Sequence, residues 1–314
     1  MMSDKTWAGD VHKVTVIGAG TMGRQIAALV ANSGRPVILH DALPAAMDVA
    51  MDRLREELET IPTAPRYAHH QFRLAPPANR QQLLNRITIE RDLATAVSGA
   101  DFIIEAVRED LETKRGLFAE VSRLNSTAII STNSSSIPSG LIASAAEDPG
   151  RVMNTHFFAP IWQRAMVELM TCGQTRPEVM ERAAAFTRSL GIVVASVSGE
   201  SKGFIINRIW RAVKRESLRV VDEGHASPED VDRLWMIFFG TPMGPFGIMD
   251  MVGLDVVADI ETSYQLVATD PMDKPSPALH EKVARGELGE KSGKGFYSHP
   301  DPEYLQPGWL TEGE

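Results

Sequence analysis

His156 and Glu168 are the residues of this 314-residue chain best placed by their neighbours to move a proton. Val152 to Phe158 and Ala165 to Met170 both read as buried strands, and each carries one of the two. A carboxylate enclosed among apolar side chains is costly without a partner. An imidazole N–H would satisfy it and fix the tautomer. A histidine held in that way can take a hydroxyl proton while a hydride leaves the same carbon. Ser134, Ser135 and Ser136 follow a further apolar run, Ala128 to Asn133, and stand just past its end. Each group alone also has a plainer reading. A strand-end histidine is often a hydrogen-bonded structural residue, and a serine cluster is often a turn or a helix cap.

The elements that would position this chemistry begin at Val14-Thr15-Val16-Ile17, which runs straight into Gly18-Ala19-Gly20-Thr21-Met22-Gly23 and a helical pattern from Arg24 to Ala31. Strand, tight turn and helix start follow without a spare residue. Gly18 permits the turn, Gly20 lets backbone approach a pyrophosphate, and Gly23 lets the helix pack on the strand. The helix N-terminus supplies unpaired N–H groups and the positive end of its dipole. Pro36 to Asp41 reads as the second strand, and its acid lies 23 residues after Gly18. That fits the roughly 20-residue separation of a carboxylate that holds an adenosine ribose. Dinucleotide binding is expected; the alternative is a βαβ unit with a structural glycine turn.

Composition sets limits. The length suggests two domains rather than one core. Net charge of −9 argues against a nucleic-acid surface, and the single Cys172 against a disulfide framework or a cysteine metal site. No metal is expected. Met1 to Asp10 lacks an apolar signal segment, and no apolar run could span a bilayer, so a cytoplasmic protein without membrane association is expected.

Strand and helix then alternate. Helices are expected at Ala45–Thr60, Asp92–Val97, Leu111–Leu124 and Pro177–Leu190, and strands at Arg86–Glu90, Asp101–Val107, Ala128–Asn133, Val152–Phe158 and Ile192–Val197. Ile61 to Pro77, with four prolines, reads as a loop or broken helical excursion. This is the pattern of an α/β, doubly wound, mostly parallel Rossmann-type sheet. After Gly199 only helices are expected: Phe204 to Val221, Asp230 to Phe239 behind a Ser227-Pro228 start, and Ile248 towards Ile260 after a Met243–Phe246 turn. The tail from Asp301 reads as a poorly ordered end. The division is a dinucleotide-binding domain, 1–199, and a smaller all-helical substrate and dimerisation domain, 200–314.

Six motifs together resemble the 3-hydroxyacyl-CoA dehydrogenase family, in its order and with near-identical spacing. They are Gly18 to Gly23, Ser131 to Ser136, His156 to Pro160 with Glu168, Gly203 to Arg208, Pro242 to Phe246, and Lys291 to Tyr297. The resemblance covers nearly the whole chain. It implies an NAD-dependent oxidoreductase of fatty acid metabolism, like a 3-hydroxybutyryl-CoA dehydrogenase, acting on CH–OH donors. His156 would be the general base and Glu168 its orienting partner. Ser135 would bond the substrate's 3-oxygen, with Asn207 beside it. Asp41 would hold the ribose, and Glu109 and Lys114 would lie near the nicotinamide. A cleft between domains and a homodimer formed through the helical one are also implied.

Departures from the family pattern concern the substrate. Ala159 replaces the usual Asn, Ile161-Trp162-Gln163-Arg164 replaces apolar residues and a lysine, and the excursion 61–77 has no lysine, only Arg66 and Arg73 beside His69 and His70. A relative that acts on a 3-hydroxy acid or diketo ester without CoA is therefore one alternative. A non-catalytic, NAD-binding structural relative is another, against which the intact set Ser135, His156, Glu168 and Asn207 weighs.

Overall fold

Short, mainly apolar or β-branched runs build the centre of the sheet, because a strand covered on both faces has no solvent side. In the computed structural model, which describes residues 11–61, 74–265 and 273–311, β1 (Val14–Ile17), β4 (Phe102–Glu105) and β5 (Ile129–Thr132) are buried throughout. They lie in one eight-stranded sheet with β2 (Val37–His40), β3 (Ile87–Ile89), β6 (Val152–Phe157), β7 (Met166–Thr171) and β8 (Val193–Val197), in the order β3-β2-β1-β4-β5-β6-β7-β8. All neighbours are parallel except β6 and β7. Strand order reverses between β1 and β4, where such sheets open a crevice at the strands' carboxyl ends. Helices α1 (Thr21–Asn32), α2 (Pro44–Glu59), α3 (Arg80–Leu84), α4 (Leu93–Val97), α5 (Leu111–Leu124), α6 (Gly140–Ala143) and α7 (Pro177–Ser189) complete this unit, with an apolar cluster on each face of the sheet. Asp92 and Asp110 cap α4 and α5 by accepting from Thr95 and Thr113 N–H.

The contacts divide the chain between Ile205 and Ile206. The second unit holds α8 (Ile206–Asp222), α9 (Pro228–Phe239), α10 (Pro245–Val252), α11 (Leu254–Gln265) and α12 (Pro277–Ala284) around its own apolar cluster. Ser227 caps α9, as its sequence signature implies.

Two expectations are corrected here. The apolar helix expected from Ile248 to Ile260 is two helices, interrupted at Gly253, whose φ of 99° no helix accommodates. The first of them already starts at Pro245, inside the expected turn. The tail is not a loose end as far as Thr311: Tyr304 is buried against the helical cluster, and Arg233 lies over the Trp309 ring at 4.7 Å. The excursion's Arg66, His69, His70 and Arg73 lie outside the described residues.

Buried carboxylates explain two of the glycine-rich motifs. Asp232, on α9, accepts from the N–H groups of Phe246 and Gly247 at 2.8 and 2.9 Å and from Tyr297 Oη at 3.0 Å. Asp250, on α10, accepts from the N–H groups of Phe296 and Tyr297 at 2.8 and 2.9 Å and pairs with His299 Nε2 at 3.0 Å. A Cβ on Gly244 would fall 2.3 Å from Asp232, and one on Gly295 would fall 2.1 Å from Asp250. Glycine there is a condition for seating the carboxylates.

Candidate active site

His156 and Glu168 face each other because β6 and β7 run antiparallel, in a register that makes the two direct cross-strand partners. His156 Nδ1 lies 3.0 Å from Glu168 Oε2, and both side chains are buried. An ionised carboxylate only accepts, so Nδ1 carries the hydrogen, and in the neutral imidazole Nε2 then holds the lone pair. Glu168 Oε1 takes the Ile205 N–H at 3.0 Å. The imidazole lies against Phe158, with centroids 4.2 Å apart, and against Phe204 at 4.7 Å. The ring is held through Nδ1 and by two aromatic neighbours, and Nε2 is its outer nitrogen.

The serine turn sits beside this pair. Asn133 Oδ1 accepts from Phe157 N–H at 2.9 Å, which ties the turn to the strand carrying His156. Ser134 and Ser136 both serve Glu109. Ser134 Oγ donates a short hydrogen bond to Glu109 Oε1, and Ser136 donates from Oγ at 2.7 Å and from N–H at 3.1 Å. With its neighbours turned one way, Ser135 is exposed, and its hydroxyl has no partner among the described residues. The sequence marked the serine cluster; that two of the three position an acid was not visible in it.

Glu109 and Lys114 come together with a third residue that sequence reasoning did not single out, Glu105. Lys114 Nζ lies 2.6 Å from Glu105 Oε1 and 3.4 Å from Glu109 Oε2. Lys114 and Glu105 are 1% exposed, whereas the Glu109 side chain keeps 39%. Glu109 is therefore the member of the trio that meets solvent. Burial pushes its pKa upward, but the bonds from Ser134 and Ser136 and the charge of Lys114 outweigh that and hold it below the ordinary carboxylate value. An acid at the end of a strand with a lysine one helical turn into the next helix is the signal that points to Glu105.

The glycine turn has the shape a dinucleotide needs. Gly18 has a φ of 110°, and a Cβ there would meet Ala106 O at 2.4 Å; one on Gly23 would meet Gly18 O at 1.7 Å. A Cβ on Gly20 would meet nothing within 4 Å. Two glycines are thus required by the fold itself, and the third faces open space at the start of α1, beside the exposed Thr21 and half-buried Met22. Asp41 sits past the end of β2 and accepts from the N–H groups of Ala19 and Leu43, both at 2.8 Å. The residues fit a dinucleotide.

Asn207 stands in the first turn of α8, in the helical unit, and is half-buried. Arg164, on the arm between β6 and β7, donates to the Ala159 carbonyl, and burial lowers its pKa. Among the described residues, no group of three His, Cys, Asp or Glu could hold a metal ion, and no helix is long and apolar enough to cross a membrane.

Comparison with known proteins gives this arrangement its family. Residues 13–200 match the NAD-binding domain of 3-hydroxyacyl-CoA dehydrogenase, and residues 203–299 match its C-terminal domain. The human mitochondrial hydroxyacyl-coenzyme A dehydrogenase is 32% identical over 291 residues, 92% of this chain and 91% of that protein. A 3-hydroxybutyryl-CoA dehydrogenase of Mycobacterium tuberculosis is 32% identical over 92% of this chain and 99% of its own. Among solved structures, a diketoreductase described as acting on dicarbonyl compounds superposes with a TM-score of 0.82 at 29% identity, covering 93% of this chain and 100% of that one. The chain belongs to the 3-hydroxyacyl-CoA dehydrogenase family, as an NAD-dependent oxidoreductase acting on CH–OH donors.

Proposed function

We propose that this protein interconverts a 3-hydroxyacyl-CoA and the 3-oxoacyl-CoA, with His156 as general base and Glu168 as its orienting partner. The observation that carries the reading is the 3.0 Å contact between Nδ1 and a buried carboxylate, which leaves Nε2 with its lone pair. Nε2 takes the C3 hydroxyl proton, and Glu168 offsets the charge that forms on the ring. Bound NAD supplies the hydride acceptor. Ser135, unengaged and exposed, donates to the substrate's 3-oxygen, and Asn207 assists it from the start of the 200–314 domain. Gly18, Gly20, Thr21, Met22 and Gly23 hold the pyrophosphate, and Asp41 the adenosine ribose. Glu109 approaches the nicotinamide end, with Lys114 acting through it.

The chain's likeness to a diketoreductase, together with Ala159 and Arg164, favours a second reading: a substrate without CoA, whose carboxylate or ester end lies near Arg164. One comparison separates the two. NADH-dependent reduction of acetoacetyl-CoA, acetoacetate and a simple 3-oxo ester is measured for wild type and Arg164→Ala. A CoA preference above about 10³-fold in kcat/KM (roughly 4 kcal/mol), unchanged in Arg164→Ala, supports the thioester. Equal or better use of the acid or ester, lost in Arg164→Ala, supports the second reading.

The same proposal includes a homodimer. Leu234, Ile237 and Phe238 form one face of α9 at helical spacing and are 68%, 58% and 82% exposed. Phe238→Asp is expected to give a monomer by light scattering. An unchanged mass would remove α9 from the interface.

A further inference from the structure

Phe204 is, among the described residues, the one residue other than glycine with a positive φ, at 54°. A left-handed backbone crowds the Cβ of any L-residue against the following carbonyl, so the surroundings must hold it there. They do. Gly203 before it is also at positive φ, 82°. The Phe204 N–H donates to Ser201 O at 3.0 Å, Ser201 Oγ donates to Phe204 O at 3.2 Å, and the Ser201 N–H meets Met170 Sδ at 3.1 Å.

The turn delivers two contacts to one place. The buried Phe204 ring stacks on the His156 imidazole, with centroids 4.7 Å apart and planes 29° from parallel. The next amide, Ile205 N–H, donates to Glu168 Oε1, the carboxylate oxygen that His156 does not use. One backbone rotation governs where the ring of Phe204 and the following peptide point. A relaxed φ would therefore not bring both to the same pair. Simple packing of an apolar ring needs no such conformation.

We propose that Phe204 and the Ile205 amide form a positioning clamp for the His156–Glu168 pair. This rests on that pair being the one that moves the proton. The ring fixes the plane of the imidazole and the amide fixes the rotation of the carboxylate, so Nε2 keeps its aim at the hydroxyl. The aromatic face also attracts the imidazolium formed when the proton is taken up. Phe204 is a positioning residue; it acts on the substrate only through His156.

The test compares His156→Gln, Phe204→Leu, Phe204→Met and Phe204→Tyr, using whichever acceptor, acetoacetyl-CoA or the 3-oxo ester, the wild type reduces faster. Rates are expressed per NADH-binding site titrated by fluorescence, so misfolded protein is not counted. Phe204→Leu and Phe204→Met should lower kcat about 10- to 100-fold through lost alignment. NADH affinity and substrate KM should stay within about twofold, the pattern of an interaction felt in the transition state. Phe204→Tyr, which keeps the ring, should recover most of the rate. Wild-type kcat per site in both Leu and Met variants, while His156→Gln is slow, overturns the clamp and leaves the base assignment standing. Wild-type kcat in His156→Gln overturns the base assignment and the clamp with it. Should neither variant bind NADH, the wild-type proton spectrum decides. The His156 Cε1–H, identified by its loss in His156→Gln, should be displaced upfield by the Phe204 ring current, and an ordinary position overturns the clamp.

Discussion

Asp41 shows how much one side chain settles. Both its oxygens are engaged by backbone N–H groups, which fixes the carboxylate past the end of β2. A 2′-phosphate brought there meets a held negative charge, and Ala42, Leu43 and Pro44 supply no cation to offset it. NAD(H) should therefore be preferred over NADP(H) by at least about tenfold in kcat/KM, on the order of 1.4 kcal/mol; equal use of the two would refute the assignment. His156→Gln should lower kcat by roughly 10²–10⁴ with NADH binding nearly unchanged, the range for losing a general base. Glu168→Gln should be milder for the fold and still slow the reaction, because the imidazolium loses its counter-charge; steady-state kinetics with fluorescence titration measures both. The pair was legible in the sequence because an acid amid apolar residues demands a partner, and a nearby strand offered one. The serines were legible as a cluster only, since which hydroxyl points outward depends on Glu109, 25 residues away. The parts played by Phe204 and the Ile205 amide were not legible: the motif Gly203 to Arg208 marked the stretch, but the helix expected from Phe204 begins only at Ile206. A left-handed phenylalanine and a backbone donor leave no mark in composition or period.

At the scale of the element, the glycine turn separates fold from function. Gly23→Ala would place a Cβ 1.7 Å from the Gly18 carbonyl oxygen, and neither backbone segment can yield. That variant should lose stability and NADH binding together. Gly20→Ala meets nothing in the protein, so its thermal midpoint should hold while NADH affinity falls by about tenfold or more, as the methyl occupies the room meant for phosphate. A Gly20→Ala enzyme with wild-type affinity would place the pyrophosphate elsewhere. Strands and long helices of the sheet unit were readable from period and length, because buried parallel strands are continuous apolar runs. The missed elements are of another kind. Helices α3 and α6 are five and four residues long, too short to show a period. The interruption between α10 and α11 hides in an apolar run that periodicity alone reads as one helix. The tail holds through Tyr304 and Trp309, which meet Tyr297 and Arg233, and its acidic composition concealed them.

At the scale of the whole molecule, the helical unit holds carboxyls that respond to acid in opposite directions. Burial raises the pKa of Asp232 to about 6, against the donors from Phe246, Gly247 and Tyr297, and Asp250 is raised as well. A carboxyl raised on folding binds more protons folded than unfolded between the unfolded value of 3.8 and about 6. Stability therefore falls as pH rises through that window and returns as pH falls. Glu287, lowered to about 2 by Lys294, Arg285 and Lys282, works the other way, and only below its ordinary 4.5. Between pH 7 and 5 the wild type should gain on the order of 1 kcal/mol relative to Asp232→Asn, measured as unfolding of the helical unit. Parallel pH profiles for the two proteins would show that Asp232 titrates as an ordinary carboxylate.

The buried Asp250 also bears on the order in which the chain is made. Its donors Phe296 and Tyr297 are synthesised 46 and 47 residues after it. Until they emerge, the carboxylate has only water to satisfy it, and the face of α10 that carries it cannot close. The sheet unit has no such wait: the Ile205 N–H that engages Glu168 is in place before the first residue of α8 is added. Domains fold as they leave the ribosome. A nascent chain paused anywhere between Asp250 and Phe296 thus carries a completed sheet unit followed by helices with an apolar face still open. The apolar face open during that interval is the kind of surface that chaperones cover.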